Sequence, residues 1–307
     1  MNRTAAPAKI ILVGEHAVVY GQPAIAIPVH GLKVIAEGDV TEVHGLHIKA
    51  LDTGENLRYM GTDSENPILN MVHLVLQHCG MPPPRMEIRI KSEIPIASGL
   101  GSGAAVSTAL GRLLAEVLGK PLSNAELNKL VYAVEGLHHG TPSGIDNTVI
   151  VYEKPVFYIR DVDISFIEIG QPVHLLIADT GQQALTRIAV GDVRRLYTTR
   201  PDTIQPIIAA IGDLSRRASA ALSSGDIHTL GCIMSDNHRL LQQLTVSSVE
   251  LDKLVEIAMG AGALGAKLSG GGRGGNMIAL VTPETIDSVR SALLQAGAVA
   301  VYETIVE

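Results

Sequence analysis

Residues 95–105 read Pro95-Ile96-Ala97-Ser98-Gly99-Leu100-Gly101-Ser102-Gly103-Ala104-Ala105 and lead into an apolar helical pattern ending near residue 118. Gly99, Gly101 and Gly103 lack side chains where backbone can turn tightly or approach a ligand closely. A helix that starts here presents unpaired N–H groups and roughly half a positive charge. Loop plus helix start is therefore an anion cradle, and phosphate is its usual guest. A glycine-rich turn that only packs closely is the plainer alternative.

Two familiar phosphate loops do not fit. A P-loop needs G-x-x-x-x-G-K-[ST], and no lysine lies between Lys91 and Lys120. The dinucleotide fingerprint G-x-G-x-x-G/A is met formally by Gly99, Gly101 and Ala104, but that turn follows its strand directly. Here the strand pattern 86–91 is separated from Gly99 by residues 92–98, which include Pro95. The segment after the helix, from Leu122, opens another helix where a second strand is required.

At 307 residues the length fits one to two domains. With 46% hydrophobic and 18% charged residues the chain is globular, and with 3% aromatics its cores rest on Ala, Leu, Ile and Val. A net charge of −7, with no basic run interleaved with aromatics, argues against a nucleic-acid partner. Apolar runs fall short of a membrane span, and the first residues lack the apolar core of a secretory signal, so a cytoplasmic protein is expected. Cys79 and Cys232 have no metal-site spacing and read as buried thiols.

Hydrophobic periodicity predicts strands at 9–13, 21–29, 33–43, 47–51 and 86–91, with Gly31 breaking the second from the third. Helices are expected at 67–77, 104–118 and 124–137, the last opened by a Ser123–Glu126 capping box. Strands then follow at 147–152, 156–159 and 173–178. The second half reads as helices at 184–197, 204–223, 227–244 and 249–261, then strand 276–281, helix 283–296 and strand 298–305. This order implies a separate α+β unit, with domains 1–171 and 172–307.

Other segments carry candidate chemistry. Lys267 to Gly275 has five glycines in six positions, interrupted by Arg273; such a run needs a tight backbone constraint to offset its entropy. It suits either a second backbone wall against a ligand or a strained turn. Arg273 could reach a phosphate or point to solvent. Asp146, in Pro142-Ser143-Gly144-Ile145-Asp146-Asn147, is a candidate general base, although Asp is also an ordinary turn residue. Glu135 stands near a helix C-terminus, where a bound cation would compensate its charge, which makes it a metal-ligand candidate; a solvated acid at a helix end is the plainer alternative. Glu135 and His138 spell E-x-x-H, but a carboxylate di-metal bundle needs a second such pair, and none exists.

The three glycine segments, in this order, resemble those of the GHMP kinases over nearly the whole chain. Residues 8–21, Ala8-Lys9-Ile10-Ile11-Leu12-Val13-Gly14-Glu15-His16-Ala17-Val18-Val19-Tyr20-Gly21, look like the first motif; residues 95–105 and 267–275 look like the second and third. The 14–21, 142–147 and 178–181 segments are most similar to the mevalonate kinase branch. The resemblance implies an α+β, two-domain fold with an active-site cleft between an N-terminal α/β domain and a C-terminal ferredoxin-like α+β domain. It implies ATP and mevalonate as substrates, Mg²⁺ as cofactor, and a family that often forms dimers. Phosphomevalonate kinase is the alternative enzyme, and a non-catalytic small-molecule binder the alternative class.

By the same resemblance, Asp146 abstracts the proton of the C5 hydroxyl, and Lys9 stabilises the aspartate and the developing alkoxide. Residues 95–105 bind ATP, Ser102 and Glu135 hold Mg²⁺, and Glu15, His16, Ser143, Thr186 and Gly271 line the substrate. In that branch the ATP loop usually carries two serines; here Gly103 stands for the second.

Overall fold

The computed structural model describes residues 2–41, 44–61, 65–95, 98–139, 142–162, 164–183 and 186–307. The chain forms two compact units that do not follow a single cut between 171 and 172: one holds residues 1–8, 32–95 and 101–153, the other 9–31, 96–100 and 154–307. The chain passes between them inside its first two strands.

Strand β1 (Asn2–Val13) pairs with β2 (Ala24–Val40). β2 is one strand, where two were expected with a break at Gly31. Its ends pair with different neighbours, which keeps the backbone extended through the glycine: residues 34–40 pair with β5 (Met86–Ser92) and residues 24–26 with β6 (Val156–Tyr158). In the first unit β5 also pairs in parallel with β3 (Leu46–Ala50), which forms a hairpin with β4 (Glu55–Arg58). β4 escaped the sequence reading because its Glu-Asn-Leu-Arg run has no apolar face.

Helix α1 (Pro67–Cys79) begins where the Asn66 side chain accepts from the Ile68 N–H at 2.9 Å, with Pro67 at the first position and Gly80 closing in αL conformation. Helix α2 (Ser102–Val117) is buried nearly all round, packed by α1 and by α3 (Asn124–His139). The capping box forms as expected: the Ser123 N–H donates to Glu126 at 2.8 Å, and the Glu126 N–H donates to the Ser123 hydroxyl at 3.3 Å.

Residues 147–152, expected as a strand, belong to helix α4 (Ile145–Tyr152). Every residue from Asn147 to Val151 is buried, so the run shows neither period, and apolar runs of this length are ambiguous between buried strand and buried helix. Packing against α2 and α3 decides for helix, and the Thr148 hydroxyl donates back to Gly144 O at 2.7 Å, one helical turn away.

In the second unit β6 pairs with the short β7 (Ser165–Phe166). A four-stranded antiparallel sheet has the order β11-β8-β10-β9, formed by β8 (Val173–Asp179), β9 (Gly265–Ser269), β10 (Asn276–Val281) and β11 (Ala300–Val306). With helices between β8 and β9 and between β10 and β11, this is the split βαβ arrangement expected for the C-terminal half. The helices are α5 (Thr186–Thr199), α6 (Pro201–Ser224), α7 (Ile227–Gln243), α8 (Val249–Gly260) and α9 (Ile286–Gln295). Their apolar faces and the inner face of the sheet enclose a core that includes Leu176, Ile208, Ile211, Leu241, Leu268 and Met277. β9 was missed because the glycines after it obscured its buried run. Both cysteines are free, but Cys232 is exposed and Cys79 only partly buried, since each falls on an outer face of its helix. Among the described residues no helix is long and apolar enough to cross a membrane.

Candidate active site

The second glycine segment is shared between the units: Ser98, Gly99 and Leu100 count with the second, Gly101 onward with the first. Ile96 and Ala97 lie outside the described residues. Gly99 (φ 82°) and Gly101 (φ 79°) both occupy the left-handed region, which explains the glycines there. Gly101 is the residue before α2 and offers no side-chain cap, so no capping side chain engages the first N–H groups of α2, as an anion-binding helix start requires.

Glu135 stands on α3, one turn before its end. An added Cβ at Gly103, in the first turn of α2, would lie 3.1 Å from Glu135 Oε1. The carboxylate at the negative end of one helix thus sits against the positive start of another, which compensates it. Gly103 is therefore not only permissive: it makes the room that the carboxylate occupies. The His138 side chain lies outside the described residues.

Asp146 sits in the first turn of α4, after Gly144 in αL conformation (φ 89°). There the helix dipole favours its negative charge. Two contacts fix that helix. Asn147 Nδ2 donates to Asn128 Oδ1 on α3 at 2.7 Å, and Arg112 of α2 donates to Val151 O at 2.8 Å and to Glu153 at 2.5 Å, so a cation caps the C-terminal end. Ser143 is partly buried beside Gly144, and its hydroxyl accepts weakly from the Ile145 N–H at 3.4 Å. Thr141 and Gly140 lie outside the described residues.

In the second unit Lys9 is buried in β1, and its N–H donates to Leu100 O at 3.0 Å, tying the strand to the glycine loop. His16, Thr186 and Gly271 come together. The His16 Nε2 is 3.1 Å from Gly271 O, and a Cβ at Gly271 would stand 2.8 Å from Thr186 Cα, so only glycine admits this approach. Burial pushes the His16 imidazole down to about 4, against the opposing hydrogen bond to Gly271. The ring is therefore neutral at physiological pH. Glu15 is 1% exposed, with both carboxylate oxygens engaged by Lys267 and Asn237. It braces the wall from behind.

Arg273 does neither of the two things its sequence position suggested. It adopts φ 56°, and its guanidinium donates to Asp192 at 2.5 Å and to Thr245 O at 3.3 Å. This pairing holds the Asp192 carboxyl below its usual range. The arginine locks the glycine turn onto α5.

Two residues escaped the sequence reading. Asn276, buried at the start of β10, donates from Nδ2 to Ser98 O at 2.6 Å and so ties the second glycine segment to the third. Lys267 is fully buried against Glu15. Asn276 directly follows the glycine run, which is the signal that could have flagged it.

The chain is similar to known proteins over nearly its whole length. Residues 66–154 match the GHMP kinases N terminal domain, and residues 218–299 match the GHMP kinases C terminal domain. A mevalonate kinase from Pyrococcus furiosus is 35% identical over 95% of this chain and 92% of its own length. The chain belongs to the GHMP kinases, in their mevalonate kinase branch. The crystal structure of L. major mevalonate kinase in complex with R-mevalonate superposes with a TM-score of 0.86 at 28% identity, covering 100% of this chain and 96% of that one. That of Methanococcus jannaschii mevalonate kinase gives 0.88 at 25%, covering 98% and 97%. The fold is accordingly the two-domain GHMP kinase fold.

Proposed function

We propose that this GHMP kinase is a cytoplasmic enzyme that transfers the γ-phosphoryl group of ATP to the C5 hydroxyl of (R)-mevalonate, forming 5-phosphomevalonate for isoprenoid biosynthesis. The observation that carries this reading is Asp146 in the first turn of α4, in a chain that is 35% identical to a mevalonate kinase over nearly its whole length.

Phosphoryl transfer asks mainly for positioning and for neutralisation of spreading negative charge. The uncapped start of α2, with residues 95–105 around it, receives the phosphates of ATP. Asp146 accepts the proton of the attacking hydroxyl, and Lys9 supplies positive charge to the developing alkoxide. His16, Thr186, Gly271 and Ser143 line mevalonate, the neutral imidazole of His16 offering a hydrogen bond without a charge.

The residues fit Mg²⁺: the Glu135 carboxylate and the Ser102 hydroxyl are hard oxygen donors, and the carboxylate lies close to the start of α2, 3.1 Å from where a Cβ at Gly103 would stand. Among the described residues no cluster of three or more His, Cys, Asp or Glu could hold a metal by itself; magnesium commonly completes its shell with phosphate oxygens and water. When bound, Mg²⁺ neutralises charge on the β- and γ-phosphates.

The decisive assay offers purified protein ATP with mevalonate, phosphomevalonate or homoserine. Phosphorylated mevalonate is the expected product; product from another acceptor alone would overturn the substrate. Glu135→Gln should raise the Mg²⁺ concentration for half-maximal activity by about tenfold, and an unchanged Mg²⁺ profile would remove Glu135 from that role. Asn276→Leu, which removes the tie to Ser98, should raise KM for ATP by roughly tenfold, the worth of one buried hydrogen bond. A wild-type KM would show that the loop holds its shape unaided.

A further inference from the structure

A fully buried ion pair stands behind the imidazole wall, and phosphoryl transfer does not itself call for it. Lys267 on β9 is 0% exposed and Glu15 is 1% exposed. The ammonium donates to one Glu15 oxygen and to Leu268 O at 2.5 Å, while Asn237 Nδ2 on α7 donates to the other at 3.0 Å. Burial pushes the Lys267 ammonium down and the carboxylate opposes that shift. Such a pair is a poor stabiliser: replacing both partners by neutral groups of similar volume is often neutral or stabilising, whereas removing one is not. Its retention points to a task other than stability.

The task lies at the next residue. His16 has φ 61° and ψ −40°, in a region that residues with side chains rarely occupy. Strain of this kind persists only where the surroundings over-determine it. On the far side the turn is held by the Ala17 N–H to Glu15 O at 2.7 Å and the Val18 N–H to Gly14 O at 3.2 Å. Among the described residues the ring makes one hydrogen bond, to Gly271 O at 3.1 Å, and its Nδ1 is buried with no partner. Those bonds hold the backbone of the turn; the Glu15 side chain, next to His16, is held separately by Lys267 and Asn237.

We propose that Lys267 and Asn237 are positioning residues that grip the Glu15 carboxylate, hold the strained turn at His16, and thereby fix the imidazole against Gly271 for substrate binding. This rests on the reading of mevalonate as the substrate that His16 lines.

The test separates positioning from stability. The double variant Glu15→Gln/Lys267→Met removes both buried charges together and should melt within a few degrees of wild type. Its KM for mevalonate should nevertheless rise about tenfold, with KM for ATP unchanged, and the imidazole signals of His16, assigned by comparison with His16→Asn, should shift in NMR spectra. Asn237→Ala leaves the ion pair in place and should give a smaller rise, about threefold, with a shift of the same signals. A folded double variant with a wild-type KM for mevalonate would overturn the proposal. So would an Asn237→Ala protein with both KM and His16 signals as in wild type, whether or not the double variant folds. The NMR signals need no substrate, so failure of mevalonate as acceptor is read from the wild-type assay and leaves this comparison intact.

Discussion

Replacing Asp146 by Asn will lower kcat at least about a hundredfold and leave KM for ATP nearly unchanged. A positioned base contributes roughly 10²–10⁴ in rate, about 3–5 kcal/mol of barrier. The substitution keeps the shape of the side chain and its place in the first turn of α4. What it removes is the charge, and with it the ability to take a proton. The helix-dipole part of that charge's stabilising effect is small, since an acid at a helix N-terminus is worth only about 0.3–1 kcal/mol. Folding should therefore survive: Gly144 still starts the helix, Asn147 still bonds Asn128, and Arg112 still caps Val151. Steady-state kinetics beside a thermal melt decide the matter. A large loss of kcat with an unchanged melt assigns the base; kcat within about threefold of wild type would show that the proton leaves by another route.

The second large effect falls on stability. Gly231→Ala will destabilise the second unit by about 3 kcal/mol, although helix propensity alone predicts a gain of about 1 kcal/mol. Gly231 is in the interior of α7, facing β9. A Cβ there would run into the Leu264 carbonyl, and a Cβ at Gly265 would run into Gly231 O. Both obstacles are backbone, which cannot rotate away, so the helix must move off the strand. That displacement disturbs Lys267 and Leu268 on β9 and Asn237 and His238 on α7, which are buried beside it. A fall in Tm of roughly 6–12 °C is expected for a unit of this size. A variant that melts at or above the wild-type temperature would mean that helix and strand separate at no cost.

The sequence was most legible where a signal is local. The Asn66 cap with Pro67, the Ser123–Glu126 box and the period of α6 and α7 are written within a few residues, and the structure has them. Gly99 and Gly101 were readable as positions of a tight turn, because φ > 0 leaves few other residues, and both take it. Where burial surrounded a segment, the reading failed. Residues 147–151 are buried on every side, so no period was left to separate helix from strand. The single strand β2 was hidden because its continuity depends on two partners far apart in sequence, β5 and β6.

The sequence by itself determined the three glycine segments and made Glu135 and Asp146 candidates for the chemistry. Those follow from backbone needs and from charge, which are properties of single positions. Only the tertiary structure decided that Asp146 begins a helix, that Gly103 makes room for Glu135, that Arg273 holds α5, and that Lys267 grips Glu15 across 252 residues of chain. Each of these is a pairing between distant segments, and a buried pairing exists only once the core has closed around it and removed the water that would otherwise compete.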